Sequence, residues 1–386
     1  MSANQPAACP VPIGLAAPQP LSNTLAIITH AIATHLVEGN AASLPTFNTW
    51  PPDDLRILTA ASWNRLDACT EEFGDVPADL ASSLWFQVDK VCHDSDSLTT
   101  PELRAASDLL LRLGYPKRAA KILGMSGTKA GAHRFSPQLA REEMSVLLRF
   151  HSDSDELDQI ALNVAADERI DAYARLMLAN FVVVRNGKRG TDTPEAHQAA
   201  ELGKKALASI DDTESATYLA EHTWLRAVAY LPFLKSDAKA TLALLDRAEE
   251  CLALGRPSHG ALRLLAWEDH ATPLYETLTK THLVFGRPEQ AVAATDRLVE
   301  LEPNDRRTWN ARGRALAAAG RIDEALYAFE RTLPLGGIAV AEAAFYLGWI
   351  YEQQGKSDLA RDHYLLSQRV DPTVDVVDER LKTLQK

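Results

Sequence analysis

The chain has 386 residues, of which 46% are hydrophobic and 24% are charged, and this composition is typical of folded globular domains. It excludes a fibrous or wholly disordered protein. With 40 Lys and Arg against 52 Asp and Glu, the net charge is −12, which argues against binding of nucleic acid or an anionic membrane by the molecule as a whole.

The first twenty residues contain five prolines and no charged residue, so they lack the basic start and the continuous apolar stretch of a secretory signal. We predict a disordered tail at 1–20. The four cysteines are scattered without a Cys-x-x-Cys pair, which favours a reducing compartment. No run reaches the roughly eighteen apolar residues of a membrane span. We therefore expect a cytoplasmic protein that makes no membrane contact.

Residues 21–98 are predicted to form an N-terminal helical domain. Apolar residues at helical spacing indicate three helices, at about 21–38, 53–72 and 77–93. These helices lack the glycine and alanine positions that recur near the C-terminus. The segment is therefore interpreted as a separate domain or a divergent cap of the fold that follows it.

Residues 99–271 continue as helices with little sign of β-structure. The single β-branched run, at 181–184, continues a helical pattern. Helix pairs are expected at 136–151 with 153–166, at 169–185 with 194–210, and at 214–234 with 237–254. A polar loop is expected at 186–193.

Residues 115–134 allow a second interpretation, because Ala119, Leu123 and Gly124 resemble the first helix and turn of a DNA-binding helix-turn-helix. Residues 101–150 also carry nine Lys and Arg against four Asp and Glu. A recognition helix would have to follow, and it would contain two glycines, each costing about 1 kcal/mol relative to Ala. A helix pair followed by a flexible loop is the preferred interpretation, and DNA binding stays an alternative.

Internal repetition is plainest at 272–374, where three successive units share their marked positions. The turn glycines Gly286, Gly320 and Gly355 are spaced by 34 and then 35 residues. The other marks are Tyr275, Leu278, Ala291 and Pro303, then Trp309, Gly313, Ala325 and Phe329, then Ala344, Leu347, Gly348, Tyr351, Ala360, Tyr364 and Pro372. This pattern resembles the tetratricopeptide repeat family.

The resemblance implies an all-α, right-handed α-solenoid of antiparallel helix pairs. Small residues such as Gly313 and Ala325 would let the two helices of a pair approach, and each turn glycine would end a helix in the left-handed conformation. On this basis 99–271 are degenerate repeats, 272–374 are three regular units, and 375–386 are a capping helix that covers the last apolar face.

A solenoid usually binds its partner on its concave surface, which in this family is lined by the first helix of each pair. Residues three or four apart share that face. The positions predicted to bind a peptide or partner are Glu276, Lys280, Arg307, Asn310, Arg314, Phe345, Trp349 and Gln353.

An arginine row beside two aromatic side chains indicates a grip for a peptide, because guanidinium binds carboxylate bidentately and stacks on rings. We single out Trp349 as the most important of these residues. The family's carboxylate clamp is not reproduced, since Tyr346 stands where an asparagine is wanted. The alternative is that Phe345 and Trp349 are buried by the capping helix or an adjoining repeat.

No catalytic motif is present. The eleven histidines form neither His-Glu-x-x-His nor a zinc-spaced cluster, and no serine lies in a nucleophile elbow. His222 and His270 follow acidic residues in the sequence, and they are interpreted as surface or half-buried side chains. We therefore expect no catalytic residue, no cofactor and no metal.

The sequence thus predicts a non-catalytic scaffold that binds another protein or a peptide on a concave surface. Two alternatives stay open: a DNA-associated or peptide-sensing transcriptional regulator that uses 115–134, and an assembly factor or accessory subunit of an enzyme. The identity of the partner and the oligomeric state are not indicated by the sequence.

Overall fold

The computed structural model describes residues 32–34, 36–37, 84–112, 115–125, 133–151, 154, 156–210, 214–258, 261–303, 305–336 and 338–384. The predicted tail at 1–20 and the predicted helix at 53–72 lie outside these residues, as does most of the helix at 21–38. The chain divides into an N-terminal unit, from Thr24 to Leu274, and a C-terminal unit, from Tyr275 to Lys386.

The fold is an all-α solenoid of antiparallel helix pairs, as predicted, and the described residues contain no β-strand. None of the described helices combines the length and the low charge that crossing a lipid bilayer requires. The N-terminal unit contains α1 (Leu84–His93), α2 (Thr100–Arg112), α3 (Pro116–Ile122), α4 (Ala140–Phe150), α5 (Glu156–Ala165), α6 (Ala172–Arg189), α7 (Pro194–Leu207), α8 (Glu214–Val228), α9 (Tyr230–Leu234) and α10 (Ala238–Leu254).

The C-terminal unit begins within α11 (Ala261–Val284). It continues with α12 (Pro288–Leu301), α13 (Arg306–Ala318), α14 (Ile322–Thr332), α15 (Ala339–Gln353), α16 (Ser357–Val370) and α17 (Asp375–Thr383). Helices α12 and α16 end two residues before Pro303 and Pro372, because proline has no N–H for a helix to use and its ring clashes with the preceding turn.

Side chains at the N-cap start several of these helices. Asp171, Thr193 and Asp237 each accept a hydrogen bond from the backbone N–H three residues later, at 2.8, 3.2 and 2.9 Å. Each bond satisfies one of the amides that a helix leaves without an internal partner. The short polar residues between the apolar runs therefore define where α6, α7 and α10 begin.

The three repeat glycines make the same turn. Gly286, Gly320 and Gly355 have φ of 66°, 75° and 73°, a conformation that is strained for residues with a Cβ. The next amide, on Arg287, Arg321 or Lys356, donates to the carbonyl five residues earlier at 2.8, 2.9 and 2.9 Å. This bond satisfies a free carbonyl at the helix end and reverses the chain, so the predicted role of these glycines is confirmed.

In the pairs α13 with α14 and α15 with α16, a glycine lets a large ring lie against the partner helix. A Cβ on Gly313 would meet Phe329 Cε1 at 2.5 Å, and one on Gly348 would meet Tyr364 Cδ1 at 2.7 Å. Phe329 and Tyr364 are both fully buried. The close approach of α13 to α14 and of α15 to α16 therefore depends on the absence of a side chain at two positions.

The last helix covers the end of the stack. Val377 on α17 is fully buried in one cluster with Ala360 and Tyr364. The Tyr364 hydroxyl donates to Glu352 at 2.6 Å, and Arg380 of α17 lies 3.5 Å from the same carboxylate. This packing shields the apolar face that the last repeat would otherwise expose.

The loop predicted at 186–193 is wrong for its first four residues, because α6 continues to Arg189. Asn186 is buried, and its amide Nδ2 donates to Asp158 Oδ2 at 2.9 Å. Gly190 then ends the helix with φ of 73°. Asn186, one of the polar residues that suggested a loop, is used inside the fold, where a tertiary hydrogen bond replaces solvent, whereas Lys188 and Arg189 are exposed on the last turn of α6.

The interpretation of His222 as a surface or half-buried side chain is also wrong. His222 is fully buried in the N-terminal unit, with Nδ1 2.9 Å from Ala248 O and Nε2 3.1 Å from His270 O. His270 Nδ1 in turn lies 3.0 Å from the Thr223 hydroxyl. Burial lowers the pKa of His222 to about 4, so this group acts as a neutral bridge between helices.

The candidate helix-turn-helix is described only in part. α3 is seven residues long and is followed by Gly124 with φ of 67°. Residues 126–132 lie outside the described residues. The recognition helix that DNA binding requires would fall largely on those residues.

We predict that Gly313→Ala destabilises the C-terminal unit. The new methyl group would overlap the Phe329 ring, and overpacking outweighs the roughly 1 kcal/mol that Ala gains over Gly in a helix. The expected net loss in the free energy of unfolding is about 1–2 kcal/mol, measured by urea denaturation. The smaller side chain of Phe329→Leu should recover part of the lost stability in the double variant. If the two substitutions changed the free energy of unfolding additively, the overlap would not be the cause.

A second prediction concerns pH and Glu268 on α11. Burial raises the pKa of Glu268 to about 7, and Arg256 opposes the shift. Between pH 4.5 and 7 the folded state therefore holds a proton that the unfolded state has lost, so stability falls as pH rises. Glu268→Gln should gain roughly 1 kcal/mol relative to wild type across this range, allowing for partial exposure. The melting temperatures of both proteins are measured from pH 4.5 to 7. A difference between wild type and variant that does not change with pH would refute this prediction.

Candidate functional site

A cavity of about 590 Å³, which we call the groove, lies in the C-terminal unit. Its walls come from α11, α12, α13 and α15 and from the turns before α15 and α17. It is lined by Glu276, Thr279, Lys280, Leu283, Leu298, Arg307, Thr308, Asn310, Ala311, Arg314, Ile338, Ala339, Ala341, Glu342, Phe345, Tyr346, Asp371 and Val374.

The repeat explains why these side chains meet. Within each first helix, the lining residues recur at intervals of three or four, which places them on one face. Stacked pairs repeat the same face, so α11, α13 and α15 present their lining residues to one cavity. Asp371 and Val374 close one end from the turn between α16 and α17.

Six of the eight predicted residues line the groove, and two do not. The six are Glu276, Lys280, Arg307, Asn310, Arg314 and Phe345. Trp349 is half-buried between the core of the repeats and the cluster around Val377 of α17. Gln353 is exposed at the end of α15. The alternative was that the capping helix or an adjoining repeat buries Phe345 and Trp349. It describes the surroundings of Trp349, and Phe345 also packs partly against the cluster around Val377.

Arg307 is held by carboxylates of its own chain. Its Nε and Nη2 contact both oxygens of Asp305, the shortest distance being 2.6 Å, and its Nη1 lies 3.9 Å from Glu276. The hydrogen bonds to Asp305 raise the pKa of Arg307 above its usual range. The guanidinium therefore already forms charge-assisted hydrogen bonds within the chain.

Glu342 joins two of the predicted residues. Its Oε1 accepts from Arg314 Nη1 at 3.1 Å, and its Oε2 accepts from the side-chain amide of Asn310. Asn310 is only 4% exposed, and its Oδ1 has no hydrogen-bond partner in the described part of the chain. The wall at α13 and α15 therefore combines a neutralised arginine with an unsatisfied acceptor.

Lys280 differs from the two arginines. It is exposed on α11, and no carboxylate contacts it among the described residues. The groove therefore has one available cation at the α11 side, whereas the acidic residues Glu342 and Asp371 lie at the α15 and α17 side.

The rest of the wall is apolar. Phe345 packs edge-to-face on Tyr346 with ring centroids 5.7 Å apart, and Tyr346 stacks on Phe329 at 5.1 Å. Ile338, at the start of α15, is 48% exposed and borders the cavity. Burial of this surface by a ligand would supply binding energy that the paired charges do not.

Sequence reasoning missed Glu342, Ile338, Asp371 and Val374. Glu342 is three residues before Phe345, so the same helical spacing that identified Phe345 would have placed it on the lined face. The other three lie at helix starts or in turns, where no periodicity indicates which way a side chain faces.

Most charged side chains of the groove are paired within the chain. Glu276 lies near Arg307 and Glu342 pairs with Arg314, whereas Asp371 accepts from Thr373 and Lys280 is exposed. Within the described ranges, no three His, Cys, Asp or Glu side chains come together to hold a metal ion. The arrangement can bind a ligand through apolar contact, charge and hydrogen bonds.

Comparison with known proteins supports the repeat fold. Residues 278–337 match the family model described as tetratricopeptide repeat, and no curated protein sequence matches the chain. The human IFIT1 dimer with PPP-AAAA is 14% identical with a TM-score of 0.54, covering 94% of this chain and 85% of that chain. A monomeric IFIT1 mutant with m7Gppp-AAAA is 15% identical with a TM-score of 0.52, covering 93% and 81%.

YrrB, a TPR protein with an unusual peptide-binding site, is 18% identical with a TM-score of 0.38, and the match covers 63% of this chain and 100% of YrrB. At these levels of identity, the likeness to IFIT1 concerns the fold alone.

We predict that Trp349→Ala acts on stability. Removing a large ring from between the repeat core and α17 leaves a cavity, at a cost of about 2–4 kcal/mol. Gln353→Ala, on the same helix but exposed, should change stability by less than about 0.5 kcal/mol. Thermal unfolding followed by circular dichroism measures both. Equal melting temperatures for the two variants would mean that Trp349 does not support the cap.

Proposed function

We propose that this chain, which contains tetratricopeptide repeats at 278–337, is a non-catalytic scaffold that holds a segment of another protein in the groove. The observation that carries the proposal is the composition of the groove wall. Three successive first helices contribute polar and charged side chains, and an exposed apolar residue, Ile338, lies at the edge. Such a mixture suits binding of a peptide, with apolar contacts for affinity and polar groups for orientation.

The dimensions of the groove agree with a short extended segment. Packed helices lie about 10 Å apart, so the lining residues from α11 to α15 extend over roughly 20 Å. An extended chain covers that distance with about six residues. The volume of about 590 Å³ would accept a few side chains of such a segment, while the rest of the partner stays outside.

The N-terminal helices have a place in this proposal. We propose the division into an N-terminal helical domain at 21–98, degenerate repeats at 99–271, regular repeats at 272–374 and a cap at 375–386. In that arrangement the groove belongs to the regular repeats, and the helices before them offer a second surface for the same or another partner.

The test compares two substitutions that add the same charge to similarly exposed apolar residues. Ile338→Asp places a carboxylate on the groove wall, whereas Leu359→Asp places one on α16 outside the groove. Both variants and the wild type are used for affinity capture from a lysate of cells that express the chain. We expect Ile338→Asp to lose the specific partner by about tenfold and Leu359→Asp to retain it.

Circular dichroism shows first that both variants are folded. Retention of the same partner by Ile338→Asp would remove the groove as its binding site. Loss by both variants would show that added charge anywhere on the unit disrupts capture. In either case the proposal for the groove fails.

A further inference from the structure

The two arginines in the groove do not offer free charges to a ligand. Asp305 and Glu276 occupy Arg307, and Glu342 occupies Arg314. A ligand carboxylate that approached Arg314 would have to displace Glu342 or lie beside it, and like charges that close repel. The arginine row predicted to grip a peptide is thus neutralised within the protein.

The acidic residues of the groove keep capacity for hydrogen bonds. A carboxylate can accept about four of them, and Glu342 uses two, to Arg314 and Asn310. The side chain of Glu342 is 43% exposed, so a ligand can reach it. Asp371, at the neighbouring end, accepts from Thr373 through Oδ1, which leaves its second oxygen for another donor.

A second observation also indicates a ligand that donates. Asn310 is more than nine-tenths buried on the groove wall, and its Oδ1 has no donor among the described residues. The orientation of the amide is fixed by Glu342, which can only accept and therefore takes the Nδ2 side. A buried acceptor without a partner is costly, so this part of the wall is richer in acceptors than in donors.

The apolar residues lie at the same side as these acceptors. Phe345 is one turn after Glu342 on α15, and Ile338 and Val374 border the cavity from the adjoining turns. The free cation, Lys280, is on α11, with α13 between it and α15. Arg314, 3.1 Å from Glu342, repels a ligand cation there, but Asp371 has no cationic partner among the described residues. A cationic side chain next to an apolar one would therefore meet more negative than positive charge at the α15 side.

We infer that Glu342 makes the groove select a protein segment in which an Arg or Lys side chain is adjacent to an apolar side chain. The inference rests on the proposed function and deepens it. The basic side chain donates to Glu342 and Asp371, and the apolar neighbour packs on Phe345 and Ile338. Acidic segments are disfavoured because Glu342 already neutralises Arg314.

A displayed library of random heptapeptides, selected on the full chain, tests the inference without prior choice of sequence. We expect the enriched peptides to carry Arg or Lys next to Leu, Ile or Phe. The strongest peptide is then synthesised in three forms, with its basic residue or with Gln or Glu in that place. Fluorescence anisotropy should give the affinity order basic, then Gln, then Glu.

Two variants of the protein should shift this preference in opposite directions. Glu342→Gln, which keeps the shape of the side chain, should lower the affinity for the basic peptide by about fivefold. It should also raise the affinity for the Glu peptide, because Arg314 loses its carboxylate partner. Arg314→Gln frees Glu342 and should strengthen the basic peptide. Glu300→Gln, which removes the same charge from an exposed site outside the groove, should change nothing. If Glu342 had only a structural role, Glu342→Gln and Arg314→Gln would not change the affinity for the basic peptide in opposite directions.

Enrichment of acidic peptides, or equal affinity for the three synthetic forms, would overturn the inference. So would the absence of any enriched peptide. The enriched peptides are also tested for binding to Ile338→Asp. This measurement distinguishes a wrong inference about Glu342 from a wrong proposal for the groove. If Ile338→Asp loses peptides that show no charge preference, the groove is the binding site and only the role of Glu342 is wrong. If it binds them as the wild type does, the groove itself is not the site.

Discussion

The structure of the C-terminal unit depends on the close approach of the two helices in each pair. A glycine at 313 or 348 leaves room for the ring of Phe329 or Tyr364, and a methyl group at either glycine would overlap that ring. This contact sets the distance between the helices, and a protein interior at crystal-like density has little room to adjust it. The contact occurs in two successive pairs, and the first helices of these pairs, α13 and α15, line one cavity together with α11.

The arginines of the groove are already paired with carboxylates of the same chain. Arg307 and Arg314 have carboxylate partners in neighbouring helices, so these ion pairs bridge α11 to α13 and α13 to α15. Partly exposed pairs of this kind add little stability on their own. In the proposed function they decide which charges a ligand meets. Specificity would then depend on the repulsion of acidic segments as much as on the attraction of basic ones.

The sequence predicted the repeat and much of the groove, because both follow from periodicity. Helical spacing placed Arg307, Asn310 and Arg314 on the lined face, and the turn glycines were recognisable from their interval. The partner of Arg314 was not predicted, because Glu342 belongs to a different helix and its contact depends on how pairs stack. Trp349 shows the same limit: its spacing put it near the groove face, but α17 determines its surroundings.

The most direct measurement is photo-crosslinking from single positions of the C-terminal unit. A benzophenone-bearing residue at position 338, on the groove wall, is compared with the same residue at position 359, on α16 outside it. Both chains are irradiated with the captured partner. The account predicts a cross-linked product from 338 and none from 359, and mapping should place the attachment beside a basic residue of the partner. Cross-linking from 359 with none from 338 would contradict the claim that the groove holds the partner.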